Sequence, residues 1–115
     1  MARFEDHSAS LLPGFAVPPA EPLHVAEFLP ATGSYWIGAP TIWGGGEPHP
    51  TPRRQIFVTI KGEYEVTAGD GATRSFPVGT VLLMEDVGGI GHSTRITSME
   101  DVMIFAVALR SDEAC

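Results

Sequence analysis

Turn-forming residues cut this chain into short pieces. It holds 13 glycines and 10 prolines among 115 residues, a fifth of the whole and well above the usual ~12%. Proline removes a backbone donor and clashes inside a helix, and glycine weakens one, so little room is left for long helices. The same punctuation suits short strands joined by tight turns. With 43% apolar and 18% charged residues, the rest of the composition is globular and lacks the charge-rich, apolar-poor character of a disordered chain. A chain of this length has room for one domain around one core.

Charge narrows the function classes. Fourteen Asp and Glu against seven Lys and Arg give a formal net charge of -7. Nucleic-acid binding is excluded as an expectation, because a phosphate backbone demands a basic face. The longest apolar run, Val102 to Leu109, has eight residues, far short of the ~18 that cross a bilayer. Met1-Ala-Arg-Phe-Glu-Asp-His7 lacks the apolar segment of a signal peptide. A cytoplasmic protein with no membrane partner is expected. Cys115 is the sole cysteine and the last residue, so neither an intrachain disulfide nor a cysteine zinc cage can form.

Residues 1–22 carry Pro13, Pro18, Pro19 and Pro22, a density that predicts an irregular arm. Phe4, Leu11, Leu12, Phe15 and Val17 make that arm apolar enough to pack on its own domain or on a second subunit. From Leu23 the pattern turns to short strands. Candidates are Leu23–Phe28, Ser34–Ile37, a piece near Thr41–Trp43, Arg54–Ile60, Glu63–Thr67, Thr73–Phe76, Thr80–Met84, His92–Ile96 and Val102–Leu109. Arg54–Ile60 is β-branched and aromatic without a breaker. Glu63–Thr67 alternates acidic with apolar residues, which gives one wet and one buried face. Val102–Leu109 is apolar at both parities and is expected to be covered on both faces. Asp70-Gly71 supplies a hairpin turn. Strands every ten residues or so predict an all-β sandwich, jelly roll or barrel over residues 23–110, followed by a tail at 111–115.

At this point the chain resembles the cupins. His49-Pro-Thr51-Pro-Arg53-Arg54-Gln55, running on to Gly62, follows the spacing of their first motif. Gly79 to His92 follows the second, in a lengthened form with Glu85 at the proline position. The resemblance covers roughly residues 23–109. It implies a cupin-type double-stranded β-helix, a jelly-roll barrel, with a pocket inside. Cupins typically hold a divalent metal on three histidines and a glutamate. By position His49 and His92 match the first and last histidines, whereas Thr51 stands at the second and Gln55 replaces the glutamate. An amide oxygen brings no charge to a cation. The expectation is therefore no resident cofactor, or a weakly bound divalent metal on His49, Gln55 and His92.

Strand parity then assigns the pocket. If His49 and Gln55 face inward, Thr51, Arg53 and Phe57 share their face. An inward Arg53 calls for a polar or anionic partner, with Glu85, Asp86 or a bound anion as candidates, and a solvent-facing Arg53 is the alternative. Glu85 and Asp86 are adjacent, so at most one faces the pocket, and Glu85 is assigned to it. Tyr35, Trp36 and Trp43 precede the first motif, and Trp43 is assigned to the pocket wall. His7 and His24 have no fixed place. The resulting expectation is a small-molecule-binding protein, acting by acid–base chemistry as an isomerase, lyase or cyclase. His92 carries the proton, and Arg53 and Gln55 orient the substrate. Two alternatives are a metal-dependent, oxygenase-like enzyme on His49, Gln55 and His92, and a non-catalytic small-ligand module. The outer strand faces and the apolar arm suggest a homodimer.

Overall fold

A computed structural model describes residues 3–15, 21 and 23–110. Val17, the prolines at 18, 19 and 22, and the tail at 111–115 with Cys115 lie outside the described residues. Nine strands follow one another: β1 (Leu12–Phe15), β2 (Leu23–Val25), β3 (Ala31–Ala39), β4 (Gln55–Lys61), β5 (Tyr64–Ala68), β6 (Thr73–Phe76), β7 (Val81–Met84), β8 (His92–Ile96) and β9 (Val102–Leu109). Among the described residues there is no helix, so none long and apolar enough to cross a membrane.

Strand order identifies the architecture. One sheet runs β3-β9-β4-β7 and the other β6-β5-β8, with every pairing antiparallel. The segment between β3 and β4 adds two isolated bridges to the smaller sheet, Gly44 to Arg95 and His49 to His92, both on β8. The chain thus passes from large sheet to small and back, β8 pairing beside β5 and β9 returning between β3 and β4. That is the jelly roll, two interleaved Greek keys. The fold is all-β, as the strand rhythm and the cupin resemblance imply.

Three expectations are corrected. Thr41–Trp43 is no strand: Trp43 N–H donates to Pro40 O at 2.8 Å and closes a turn. Its place in the small sheet shrinks to Gly44, and a Cβ on the next residue, Gly45, would stand 2.1 Å from Thr94 O. The arm is not wholly irregular, because Leu12–Phe15 pairs with Leu23–Val25 as a two-stranded ribbon. Pro13 is tolerated there because both strands are edges, where a missing donor breaks no inner ladder. The Leu23–Phe28 expectation correspondingly shortens to β2.

The third concerns β9. It lies between β3 and β4, so its backbone is paired on both sides. Its inner face is buried through Val102, Ile104, Ala106 and Ala108. Its outer face is not covered: Met103 is exposed, and Phe105 and Val107 are only half-buried. Register puts Val107 beside Ile56 of β4, which stands beside Leu83 of β7. Apolar parity on both faces therefore reflects an outer face that none of the described residues covers.

The core sits between the sheets. Tyr64, Val66, Phe76, Val102 and Ile104 form its buried centre, and Ile37, Phe57, Leu82 and Ile96 pack around them. On the side where β6 and β7 leave the sheets open, residues 3–7 of the arm lie across the gap. Phe4 meets Phe76 with ring centroids 6.3 Å apart, and Arg74 holds the segment by stacking 5.1 Å over Phe4 and pairing with Asp6 at 2.7 Å.

Candidate functional site

Parity along six strands converges on one cavity. In the large sheet Tyr35, Ala106, Phe57 and Leu82 occupy one register row, and Ala108, Gln55 and Met84 occupy the next. In the small sheet the inward residues of β5 and β8 are Tyr64, Val66 and Ala68 with His92, Thr94 and Ile96. Between them is a space of about 280 Å³ with mostly apolar walls. That volume falls at the low end of small-molecule pockets. His49, Thr51, Gln55, Phe57, Trp43 and His92 all line it.

The polar end is a closed hydrogen-bond circuit. Ala106 and Ala108 are small and buried, so Tyr35 on the edge strand β3 reaches over β9 to Gln55 on β4. The Tyr35 hydroxyl donates to Gln55 Oε1. Gln55 Nε2 donates to Thr51 Oγ1 at 3.0 Å, and that hydroxyl donates to the Arg53 carbonyl at 2.8 Å. Arg53 Nη1 in turn donates to the Tyr35 hydroxyl at 3.4 Å, with its guanidinium 6.0 Å from the ring centroid. Thr51 and Gln55 are each 2% exposed, so this circuit satisfies polar groups that burial would otherwise penalise.

Opposite stands a histidine–carboxylate pair. His92 Nδ1 lies 2.6 Å from Asp86 Oδ2, and both side chains are largely buried. A carboxylate only accepts, so Nδ1 carries the hydrogen and a neutral ring keeps a lone pair on Nε2. Backbone contacts fix the geometry. Thr51 N–H donates to Asp86 O at 3.0 Å, and His49 and His92 exchange N–H···O bonds of 2.8 and 3.0 Å. That exchange depends on Gly91, whose φ is +79° and whose absent Cβ would lie 2.2 Å from His49 O. Only glycine fits both demands.

Two assigned residues are elsewhere. Glu85 does not line this cavity: it pairs with Arg54 at 2.9 Å on the outside. Arg53 is exposed at the mouth, against Tyr35 and not against Glu85 or Asp86. Asp86 takes the inward place that the sequence reading gave to Glu85. The signal was available in parity, since an inward Met84 turns residue 85 out and residue 86 in. Tyr35, rather than its neighbour Trp36, meets the cavity, because Trp36 points to the outer face.

Tyr64 forms part of the cavity wall and stacks on Phe76 at 5.3 Å. Its hydroxyl is buried without a hydrogen-bond partner among the described residues. Burial pushes its pKa up to about 12, and the nearby Thr59 hydroxyl opposes this only partly. A second space of about 560 Å³ lies under residues 3–7 of the arm, and Asp86 and His92 border it as well.

His49, Gln55 and His92, the candidate metal ligands, all line this cavity. The His49 and His92 rings are 5.3 Å apart, His92 Nδ1 faces Asp86, and Gln55 Oε1 accepts from Tyr35. The His49 ring nitrogen Nδ1 lies 3.2 Å from Glu47 O. Among the described residues no three His, Cys, Asp or Glu side chains come together as a metal cage.

No protein-family model matches the sequence, and no curated protein matches it. Among solved structures, the chain is similar to protein NMB1881 from Neisseria meningitidis. That match has 14% identity and a TM-score of 0.52, and covers 67% of this chain and 72% of that one. It is also similar to a Cupin 2 conserved barrel domain protein from Salinispora arenicola CNS-205. Here identity is 22% and the TM-score 0.49, over 68% of this chain and 62% of that one. The likeness is one of fold.

Proposed function

We propose that this chain is a small-molecule-binding cupin that moves protons on its ligand, in a reaction of the isomerase, lyase or cyclase type. The observation that carries the reading is His92 held by Asp86 at 2.6 Å on the wall of an apolar cavity of about 280 Å³. A pocket of mostly apolar walls with a few convergent polar groups binds small molecules by shape and orients them by those groups. Asp86 fixes the ring tautomer, so the Nε2 lone pair accepts a proton from the ligand and returns it at another atom. Gln55 and Tyr35 orient the ligand from the facing sheet, and Arg53 at the mouth favours an anionic or strongly polar end.

The pairing also supports a reaction over passive binding. A histidine that merely donated a structural hydrogen bond would not need its second nitrogen beside a cavity. The test is solvent deuterium incorporation, followed by NMR, across a panel of small carbonyl and hydroxy compounds. The expected result is exchange into at least one compound with the wild type and a loss of about 10²–10⁴-fold in His92→Gln. Binding that is equal in both proteins, with no exchange in either, establishes the non-catalytic module instead.

A further inference from the structure

The inner cavity does not end at His92. Val66, Leu82, Met84 and His92 line both that cavity and the space of about 560 Å³ under residues 3–7. The two spaces therefore meet at the histidine held by Asp86. The inner one alone is small, at about 280 Å³. Together they fall well inside the ~300–1,000 Å³ of small-molecule sites.

The second chamber offers a ligand apolar contact and no unmatched charge. Val66, Ala68, Phe76, Leu82 and Met84 line it from the barrel, and Phe4 of the arm adds an aromatic roof. Charged side chains border it as well, but each already faces a counter-charge. Arg3 pairs with Glu5 at 2.7 Å, Arg74 with Asp6 at 2.7 Å, Arg54 with Glu85 at 2.9 Å and His92 with Asp86 at 2.6 Å. His7 stands 3.8 Å from Glu5. A charged group brought in here displaces one of these pairs or loses its hydration without a partner, whereas an apolar group does neither.

The polar groups that orient a ligand stand at the other end. Tyr35 lies on β3 and the chamber runs along β7, at opposite edges of the large sheet. Three strand spacings of ~4.8 Å put them about 14 Å apart. Building on the proton-transfer reading of His92, we infer that the chamber under residues 3–7 is the second half of the ligand site and that the ligand is an elongated amphiphile. Its anionic end meets Arg53 and Tyr35, its reacting atom passes beside His92, and its uncharged apolar tail lies under the arm. Residues 3–7 thereby serve as the wall that keeps water from that tail.

Calorimetric titration of the full chain with straight-chain carboxylates from butanoate to dodecanoate, below their micellar range, tests this. Affinity is expected to rise about fourfold for each methylene buried and to keep rising through decanoate. Octanamide, with the tail of octanoate and no charge, is expected to bind about tenfold more weakly, and Arg53→Gln to erase that difference. Ala68 lines the chamber and not the inner cavity. Ala68→Phe is therefore expected to weaken decanoate about tenfold, the worth of roughly two methylenes, and to leave butanoate unchanged. Phe4→Ala removes the roof without touching a barrel strand, and should weaken decanoate about fourfold with the same selectivity, so the test stands even if Ala68→Phe does not fold. Affinity that levels off by hexanoate, or decanoate binding that Phe4→Ala and a folded Ala68→Phe leave intact, overturns the chamber. Octanamide bound as tightly as octanoate overturns the anionic end. A wild type that binds none of these probes overturns the ligand class. The proton-transfer reading fails separately, through absent deuterium exchange, because these titrations read binding alone.

Discussion

Replacing Tyr64 by phenylalanine should leave the protein at least as stable at neutral pH and remove a specific weakness in alkali. Tyr64 is 2% exposed and its hydroxyl has no hydrogen-bond partner among the described residues. An unsatisfied buried polar group costs about 1–3 kcal/mol, so removing it while keeping the ring should be neutral or stabilising by about 1 kcal/mol. The alkaline effect has a definite sign. Burial raises the pKa from 10.0 to about 12, so the folded state holds its proton where the unfolded state has released it. Stability is whole below pH 10 and falls as pH rises from 10 to 12. Two pH units at 1.36 kcal/mol each bound the loss at about 3 kcal/mol. Urea denaturation of wild type and Tyr64→Phe at intervals from pH 7 to 12 reads the difference directly, with Tyr35→Phe as the control for a tyrosine outside the core. Parallel stability curves for wild type and Tyr64→Phe across pH 10–12 would falsify the burial argument. A loss above about 1 kcal/mol at pH 7 would show that the hydroxyl has a partner after all.

Three further outcomes follow from the site. Asp86→Asn should cost about 2 kcal/mol, the range of a hydrogen bond to a charged group, and should let the His92 ring sample the Nε2–H tautomer; nitrogen-15 NMR of the imidazole reads this, and an unchanged tautomer refutes the role given to Asp86. Gly91→Ala should destabilise by more than about 2 kcal/mol, because it combines a positive φ with a Cβ at 2.2 Å from His49 O; a variant melting within a degree of wild type sinks the argument for the His49–His92 bridge. Thr51→His with Gln55→Glu should raise divalent-ion affinity by roughly tenfold, through one added imidazole and one added charge. Calorimetric titration checks it, and no gain in a folded double variant means that His49 and His92 do not face that ion.

Much of the fold was legible because local rules and tertiary context agree in this chain. His92–Ile96 and Val102–Leu109 begin and end where their turns predict. Thr41–Trp43 misled because β-branched and aromatic residues score as strand, while Gly44 and Gly45 confine the pairing there to one bridge. The ribbon was hidden by Pro13, whose penalty vanishes when both strands are edges. In the site, residue types were easier to read than directions. Gln55, Thr51 and His92 came from motif position, but the choice between Glu85 and Asp86 depends on parity carried from Met84 through a loop. Tyr35 could not be chosen over Trp36 without knowing which face of β3 looks inward. Arg53 was placed by parity through Pro50 and Pro52, which break the alternation that parity needs.

The two faces of the large sheet meet on β3. Its inner residue Tyr35 donates to Gln55 and receives Arg53, whereas its neighbour Trp36 is exposed on the outer face. Among the described residues β3 pairs with β9 alone, so less fixes Tyr35 than fixes Gln55 on β4, which is paired on both sides. Small inner side chains such as Ala106 make the reach across β9 possible but add nothing to hold it.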